Sequence, residues 1–216
     1  MAIESDPVFY HEDDYCQQEI LPLSAVEFCQ DQIADASAFS EAHRCDDGMG
    51  WTDVYQLSSP PQSLAELHIH RDRFAELMGQ LPARDVFTGY GATSWLCEKT
   101  VGYGFDGNCV VFAEWDESGE IQRVWTHIFS DDEAKRQAVI ESLQGLGSFF
   151  PLLYVDWAWG FAVPLDQSSK LGDQIRTKVE QFTERLAKPF EAQPQEGLLN
   201  RVKSRFWALV RWVCMR

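Results

Sequence analysis

The sequence predicts an α+β fold, in which a mostly antiparallel sheet packs against several helices and the C-terminal third is helical. Three Ser-x-x-Glu motifs each precede an amphipathic run, a pattern typical of a capped helix start. Short aromatic-rich segments alternate between these runs without the regular strand–helix–strand order of a parallel sheet. The chain has 216 residues, 45% of them hydrophobic, and is therefore long enough to bury a core.

Helices are expected after the three motifs, which begin at Ser24, Ser63 and Ser130. In each motif the serine oxygen can accept a hydrogen bond from a first-turn amide, and the glutamate can accept one from the serine amide. Amphipathic periodicity extends the prediction to two C-terminal helices. The five predicted helices cover about 25–43, 64–80, 131–143, 172–187 and 197–214.

Strands are expected at about 8–10, 19–21, 51–57, 86–90 and 93–97, and the segment 152–163 is interpreted as a further strand pair or as one bent strand. The clearest hairpin joins 109–115 to 121–129, and Gly119 suits the positive φ that its turn requires. The glycine-rich segment 102–107 resembles a phosphate-binding loop, but a strand follows it instead of a helix. We therefore interpret this segment as a flexible loop before the hairpin.

The charge is distributed unevenly along the chain. The formal net charge is −16, and residues 1–130 contain 23 acidic and 6 basic side chains. A field of this sign repels nucleic acid and anionic membranes and attracts basic partners. Nucleic acid is therefore excluded as a partner class.

One domain is expected over residues 1–190, followed by a linker and a basic amphipathic helix in 191–216. From Leu198 onward the chain has no acidic residue. Docking on its own acidic domain is the favoured placement, while contact with a partner or second copy and contact with a membrane are the alternatives. The basic residues of this segment are Arg201, Lys203, Arg205, Arg211 and Arg216.

A cytoplasmic location is expected from three observations. Residues 1–7 contain Glu4 and Asp6 and no apolar run, unlike a secretory signal. No uninterrupted apolar stretch reaches the length of a membrane span. The six cysteines form no Cys-x-x-Cys pair and are interpreted as reduced thiols.

The segment Glu12, Asp13 and Asp14 follows His11 and is the densest acidic cluster. Three interpretations are open: a solvated hairpin turn, a docking surface for arginine and lysine of a partner, and a divalent-metal site. The spacing of a calcium-binding loop is absent, which disfavours the metal site.

No catalytic motif is found, so neither enzymatic activity nor a cofactor nor a metal is expected. His68 and His70 fall in a predicted helix, where residues two apart point in different directions and cannot share a metal. Segment 91–95 lacks the second glycine of a serine nucleophile elbow. His43 and Cys45 are interpreted as part of a polar loop. A strand at Trp157 and Trp159 is expected to be buried, with a partner or ligand surface as the alternative.

In overall character the chain resembles the immunity proteins that accompany bacterial polymorphic and type VI secretion toxins. These are small, acidic, aromatic-rich α+β proteins without a catalytic motif, and segment 8–16 is similar to the opening of such proteins. The resemblance implies an antitoxin that binds a cognate effector tightly and blocks its active site. Many such toxins are basic, which an acidic inhibitor complements.

The partner surface is expected to combine acidic side chains with aromatic anchors. Its predicted residues are Tyr10, Glu12, Asp13, Asp14, Tyr15, Asp46, Asp47 and Trp51. Two functions are kept as alternatives: a metal-dependent hydrolase that uses the acidic clusters, and an adaptor with a membrane-proximal C-terminal helix.

Overall fold

The computed structural model describes residues 6–45, 50–90 and 93–187. Helices and strands are mixed, which confirms the predicted α+β class. The strands are β1 (Val8–His11), β2 (Gln18–Pro22), β3 (Ala83–Tyr90), β4 (Thr93–Asp106), β5 (Cys109–Trp115), β6 (Ile121–Ile128), β7 (Leu152–Asp156) and β8 (Phe161–Pro164). The α-helices are α1 (Val26–Ala42), α2 (Arg71–Leu77), α3 (Glu133–Gly147) and α4 (Ser168–Ala187), and 3-10 helices cover Glu12–Asp14, Leu23–Ala25 and Leu64–Leu67.

All eight strands form one sheet in the order β1-β3-β4-β5-β6-β2-β7-β8. Every neighbouring pair is antiparallel except β1 and β3, so the expectation of a mostly antiparallel sheet is confirmed. The acidic turn Glu12–Asp14 separates β1 from β2 along the chain. Because these strands are not neighbours in the sheet, the turn is a crossover between distant strands and not a hairpin.

The first face of the sheet carries the main core. Phe74 of α2, Leu143 of α3 and Ile175 of α4 are buried there with residues of seven strands, β2 to β8. The side-chain oxygen of Gln18 is buried on this face and accepts hydrogen bonds from Thr126 Oγ1, the Ile128 amide and the Tyr154 hydroxyl, at 3.0–3.2 Å. This buried acceptor is thus well paired under the helices.

The second face is covered in part. Helix α1 buries Cys29 against Leu153 and Val155 of β7, and Trp157 packs beside them. The indole Nε1 of Trp157 donates to Glu19 Oε2 at 3.1 Å. Toward β1 the same face carries a separate buried cluster on which no helix of the described chain packs. Its members are Val8, Tyr10, Val86, Val110, Phe112 and Trp125.

The predicted helix 64–80 is wrong in its middle. The Ser63 capping box is present, but the helix that it begins is a short 3-10 helix that ends at Leu67. The next residue, His68, has a left-handed backbone conformation with a φ of 48°. His70 then forms a β-bridge with Glu120 before α2 starts. His68 and His70 therefore do not lie on one helix, and His68 Nδ1 is 3.1 Å from Glu120 Oε1.

The caps predicted at Ser24 and Ser130 are wrong, unlike the one at Ser63. Ala25 occupies the N-cap position of α1 and makes no side-chain hydrogen bond there. Helix α3 is capped by Asp132, whose Oδ1 accepts from the amides of Ala134 and Lys135 at 3.0 and 3.2 Å. The aspartate lies where the first-turn amides point, whereas Ser130 Oγ accepts from the Asp132 amide instead.

The glycine-rich segment 102–107, predicted as a loop, lies mostly in β4. A Cβ on Gly102 would come within 2.6 Å of Val8 Cγ2, and one on Gly104 within 2.2 Å of the Cys109 carbonyl oxygen. These glycines therefore permit close strand packing, as glycine in a strand often does. The predicted strand 51–57 is absent, and Trp51 forms only an isolated bridge with Arg44.

The segment 152–163 is a strand pair, β7 and β8, as one reading of the sequence allowed. The strand predicted at Trp157 and Trp159, where the two side chains would share one face, is wrong there, because both residues lie in the turn before β8. The predicted helix 172–187 is confirmed as part of α4. The predicted helix 197–214, and with it the claim of a helical C-terminal third, lies outside the described residues. No helix of the described chain is long and apolar enough to cross a membrane.

A buried ion pair joins α4 to the sheet. Lys178 Nζ lies 2.7 Å from Asp156 Oδ2, and the two side chains are 1% and 0% exposed. Burial lowers the pKa of Lys178, although Asp156 opposes this shift. The ammonium also lies 4.0 Å from the centre of the Phe129 ring. Removing one partner would leave the other charge buried and unpaired.

We expect Lys178→Met to lower the free energy of unfolding by about 3–5 kcal/mol, the usual loss when one member of a buried pair is removed. Arg176→Met on the same helix is the control, because the Arg176–Asp173 pair is exposed and such pairs contribute about 0–1 kcal/mol. Urea unfolding followed by circular dichroism measures both. Equal losses in the two variants would contradict this account of α4 docking.

Candidate binding site: an acidic aromatic cleft

A cleft of about 700 Å³ lies over the part of the second face that no helix covers. Its walls come from β1, the acidic turn and β3–β6, so strands distant in sequence converge on it. Five aromatic side chains of the described residues line it: Tyr10, Tyr15, Tyr90, Trp95 and Trp125. Four carboxylates accompany them: Glu12, Asp13, Glu98 and Glu114.

The floor of the cleft is aromatic. The ring of Trp125 lies 5.4 Å from that of Tyr10 and 4.8 Å from that of Tyr15, in edge-to-face geometry. Beneath it, Phe112 stacks on Trp125 at 5.1 Å. Such packing fixes the ring positions, because each ring is held by two or three others. The floor is therefore a preformed surface.

The charge of the lining is negative. Lys99 is the basic residue among the described lining side chains, and it is ion-paired with Glu117, which is not part of the lining. Glu12 and Glu98 are exposed, whereas Asp13 is 6% exposed and its Oδ2 lies 3.3 Å from His11 Nδ1. Glu12 and Glu98 can therefore meet a ligand, and Asp13 mainly positions the turn.

One wall is held by a three-residue network. The Tyr15 hydroxyl donates to Glu114 Oε2 at 3.0 Å and accepts from Arg123 Nη1 at 2.6 Å. Arg123 Nη1 is also 3.7 Å from Glu114 Oε2. This network fixes the Tyr15 ring and the Glu114 carboxylate relative to the floor.

The phenols and thiols around the cleft are protonated at neutral pH. Burial raises the pKa of Tyr10 and of Tyr15 above its ordinary value of 10.0. Burial likewise raises the pKa of Cys97, whose Sγ is 3.8 Å from the Tyr10 hydroxyl, and that of Cys16. Because a nucleophilic thiol needs a lowered pKa, neither cysteine is activated.

Two buried polar atoms of the cleft lining, Trp125 Nε1 and Thr88 Oγ1, make no hydrogen bond to any described residue. An unpaired buried polar group costs about 1–3 kcal/mol. Trp157, on the same face beneath α1, has its indole satisfied by Glu19. The indole of Trp125 has no such carboxylate within hydrogen-bond distance among the described residues.

The structure divides the sequence-predicted partner residues into groups. Tyr10, Glu12, Asp13 and Tyr15 line the cleft. Asp14 belongs to the same turn but lies outside the lining, with its Oδ2 3.9 Å from His127 Nε2. Trp51 is 41% exposed and does not line the cleft. Asp46 and Asp47 lie outside the described residues.

Five of the nine aromatic and acidic lining residues were not in the predicted set: Tyr90, Trp95, Glu98, Glu114 and Trp125. The predicted β5–β6 hairpin held a signal for two of them. Glu114 and Trp125 alternate with the buried Ala113 and Val124 on neighbouring strands, which places them on the opposite face. The position of β1 beside β3 gave no comparable signal in the sequence.

A metal centre finds no support in the described ranges. There, no group of three or more histidine, cysteine, aspartate or glutamate side chains is arranged to hold a metal ion. Two of the cleft carboxylates lie in the turn and two on strands β4 and β5, and aromatic residues share the lining with them. This arrangement suits contact with an extended cationic surface better than coordination of one ion.

Comparison with known proteins gives no relative: no family model, no curated protein and no solved structure matches the chain.

Alkaline pH tests the burial of the cleft tyrosines. Burial makes the pKa of Tyr15 higher in the folded chain than in the unfolded chain. The protonated Tyr15 phenol therefore contributes fully to stability below about pH 10, and this contribution is lost as the pH rises toward the pKa of the folded chain. We expect the free energy of unfolding to fall above pH 10, and to fall less steeply in Tyr15→Phe. Urea unfolding between pH 8 and 11 measures the slope. A slope unchanged from the parent chain would contradict the burial of this phenol.

Proposed function

We propose that this chain is a cytoplasmic binding protein that neutralises a cognate basic protein toxin of bacterial origin. A cationic surface of the toxin would lie in the acidic aromatic cleft, so that the rest of the inhibitor covers the toxin's active site. In this role the chain acts by binding alone, with no reaction, cofactor or metal, and it binds no nucleic acid. The observation that carries the proposal is the convergence of carboxylates and aromatic rings in one concavity.

The chemistry of the lining favours a cationic ligand. Four carboxylates surround aromatic faces, and the ammonium of Lys99 is engaged by Glu117. A guanidinium or ammonium group entering the cleft can pair with a carboxylate and stack on a ring at the same time. Arginine gains most from such a site, because its planar group stacks and forms two parallel hydrogen bonds.

The exposed rim favours a protein over a small molecule. Tyr90 and Trp95 line the cleft with 52% and 47% of their surfaces exposed. Large aromatic side chains at the edge of a concave surface are typical anchors of protein interfaces. Their exposure extends the contact surface beyond the cavity itself.

The resemblance to immunity proteins supports the same function. It rests on the acidic, aromatic-rich α+β character of the chain and on segment 8–16. Within that segment, Tyr10, Glu12, Asp13 and Tyr15 line the cleft. The part of the chain that carries the resemblance is therefore also part of the candidate interface.

A pair of charge-reversal variants tests the cleft directly. The tagged chain is used to capture its stoichiometric partner from the source cells, and the purified partner is then measured by surface plasmon resonance. We expect Glu12→Lys with Glu98→Lys to slow association by about an order of magnitude, because both carboxylates are exposed in the lining.

The matched control is Glu141→Lys with Glu180→Lys, which changes the net charge equally on α3 and α4, away from the cleft. We expect this variant to slow association about twofold or less, since distant charges are screened. If the partner associates with both variants at the same rate, the cleft is not part of the interface. Capture of an acidic partner, or of none, would overturn the proposed function.

Ionic strength gives a second test. Because the attraction is between a cleft of carboxylates and a basic surface, we expect the association rate to fall about tenfold or more between low salt and about 0.3 M salt, with a smaller change in the dissociation rate. Stopped-flow fluorescence of the partner complex measures both rates. An association rate independent of salt would contradict electrostatic steering.

A further inference from the structure

The lining of the cleft favours a cationic occupant that also has aromatic side chains. Four carboxylates line it, and Lys99, the basic residue among the described lining side chains, is ion-paired with Glu117. Tyr90 and Trp95 add exposed aromatic surface at the rim. A basic segment rich in aromatic residues meets both requirements.

The chain itself contains such a segment. Residues Leu198–Arg216 carry five basic side chains and no acidic one, together with Phe206, Trp207 and Trp212. The charge of this segment is opposite to that of the cleft, and its aromatic residues can pack against the aromatic side chains of the lining. A segment tethered to its own binding site also acts at an effective concentration of about millimolar.

The described part of the chain ends close to the cleft. In the last turns of α4, the ring of Phe182 lies 6.1 Å from that of Phe129, which lies 6.2 Å from that of His127. His127 Nε2 is 3.9 Å from Asp14 Oδ2, in the same turn as Glu12 and Asp13 of the lining. Ten residues separate Ala187 from Leu198 and can span about 30 Å.

We propose that the segment Leu198–Arg216 occupies the acidic aromatic cleft of its own chain, held by charge pairing with the lining carboxylates and by aromatic contacts at the rim. Occupancy by the segment does not depend on the toxin partner proposed above. A toxin partner that uses the cleft would compete with this segment for the same carboxylates.

The test reads the indole of Trp125 in the full-length chain. Protein labelled with ¹⁵N-tryptophan gives one nuclear magnetic resonance cross-peak per indole, and Trp125→Phe identifies the peak of interest. Contacts between this indole and the Tyr15 ring, 4.8 Å away, confirm the assignment independently should that variant fail to fold.

The variant Arg201→Glu with Arg205→Glu reverses two charges of the segment. We expect the Trp125 indole peak to shift, because loss of the segment from the cleft changes the surroundings of this ring. A synthetic peptide of residues 198–216, added to this variant under reducing conditions, should return the peak toward its original position.

The matched control reverses Lys170 and Arg176 of α4 to glutamate, with the same change in net charge but away from the cleft. The peak should not move in this control. Equal shifts in both variants would show a long-range charge effect and overturn the proposal, as would an unmoved peak in the Arg201/Arg205 variant. If the position of the Trp125 indole peak in the unmodified chain depends on protein concentration, the occupant of the cleft is a second copy of the chain, and the proposal is also overturned.

Discussion

Coverage of the two sheet faces is the constraint on which the rest of this structure depends. An eight-stranded sheet presents two broad apolar faces, and both must be removed from water for the strands to remain paired. Helices α2, α3 and α4 pack on one face, while α1 packs on the β2–β7 part of the other. The remaining part is shielded by its own aromatic side chains, with Tyr15 and Cys16 packed over them. The cleft is the space above these side chains that no helix of the described chain fills.

The treatment of polar groups differs between the covered and open regions. Under the helices, the Gln18 amide oxygen accepts three hydrogen bonds and Lys178 is paired with Asp156. On the open part, Trp125 keeps a buried donor without an acceptor, and carboxylates stand beside aromatic rings. Folding alone would favour a paired or apolar residue in these places. An incompletely satisfied surface beside a fully satisfied core is what a binding site is expected to look like.

The sequence predicted what local patterns control and missed what the sheet order controls. Alternation and a glycine turn were enough to predict the β5–β6 hairpin, because its strands are adjacent in the chain. The break at His68 was missed because a β-bridge between His70 and Glu120, distant in sequence, overrides local helix propensity. The acidic turn was found from its charge run. Its neighbours Glu98, Glu114 and Trp125 were missed because only the order β1-β3-β4-β5-β6 brings them to that turn.

The two occupants proposed for the cleft are compatible because one is tethered and the other is not. A tethered segment at an effective concentration of about millimolar fills half of the sites even if its intrinsic dissociation constant is also about millimolar. Such weak binding is enough to screen the cleft carboxylates part of the time. A free partner then finds about half of the molecules competent, so its apparent affinity falls only about twofold. The four lining carboxylates can therefore be covered for part of the time by the tethered segment and still bind a cationic partner.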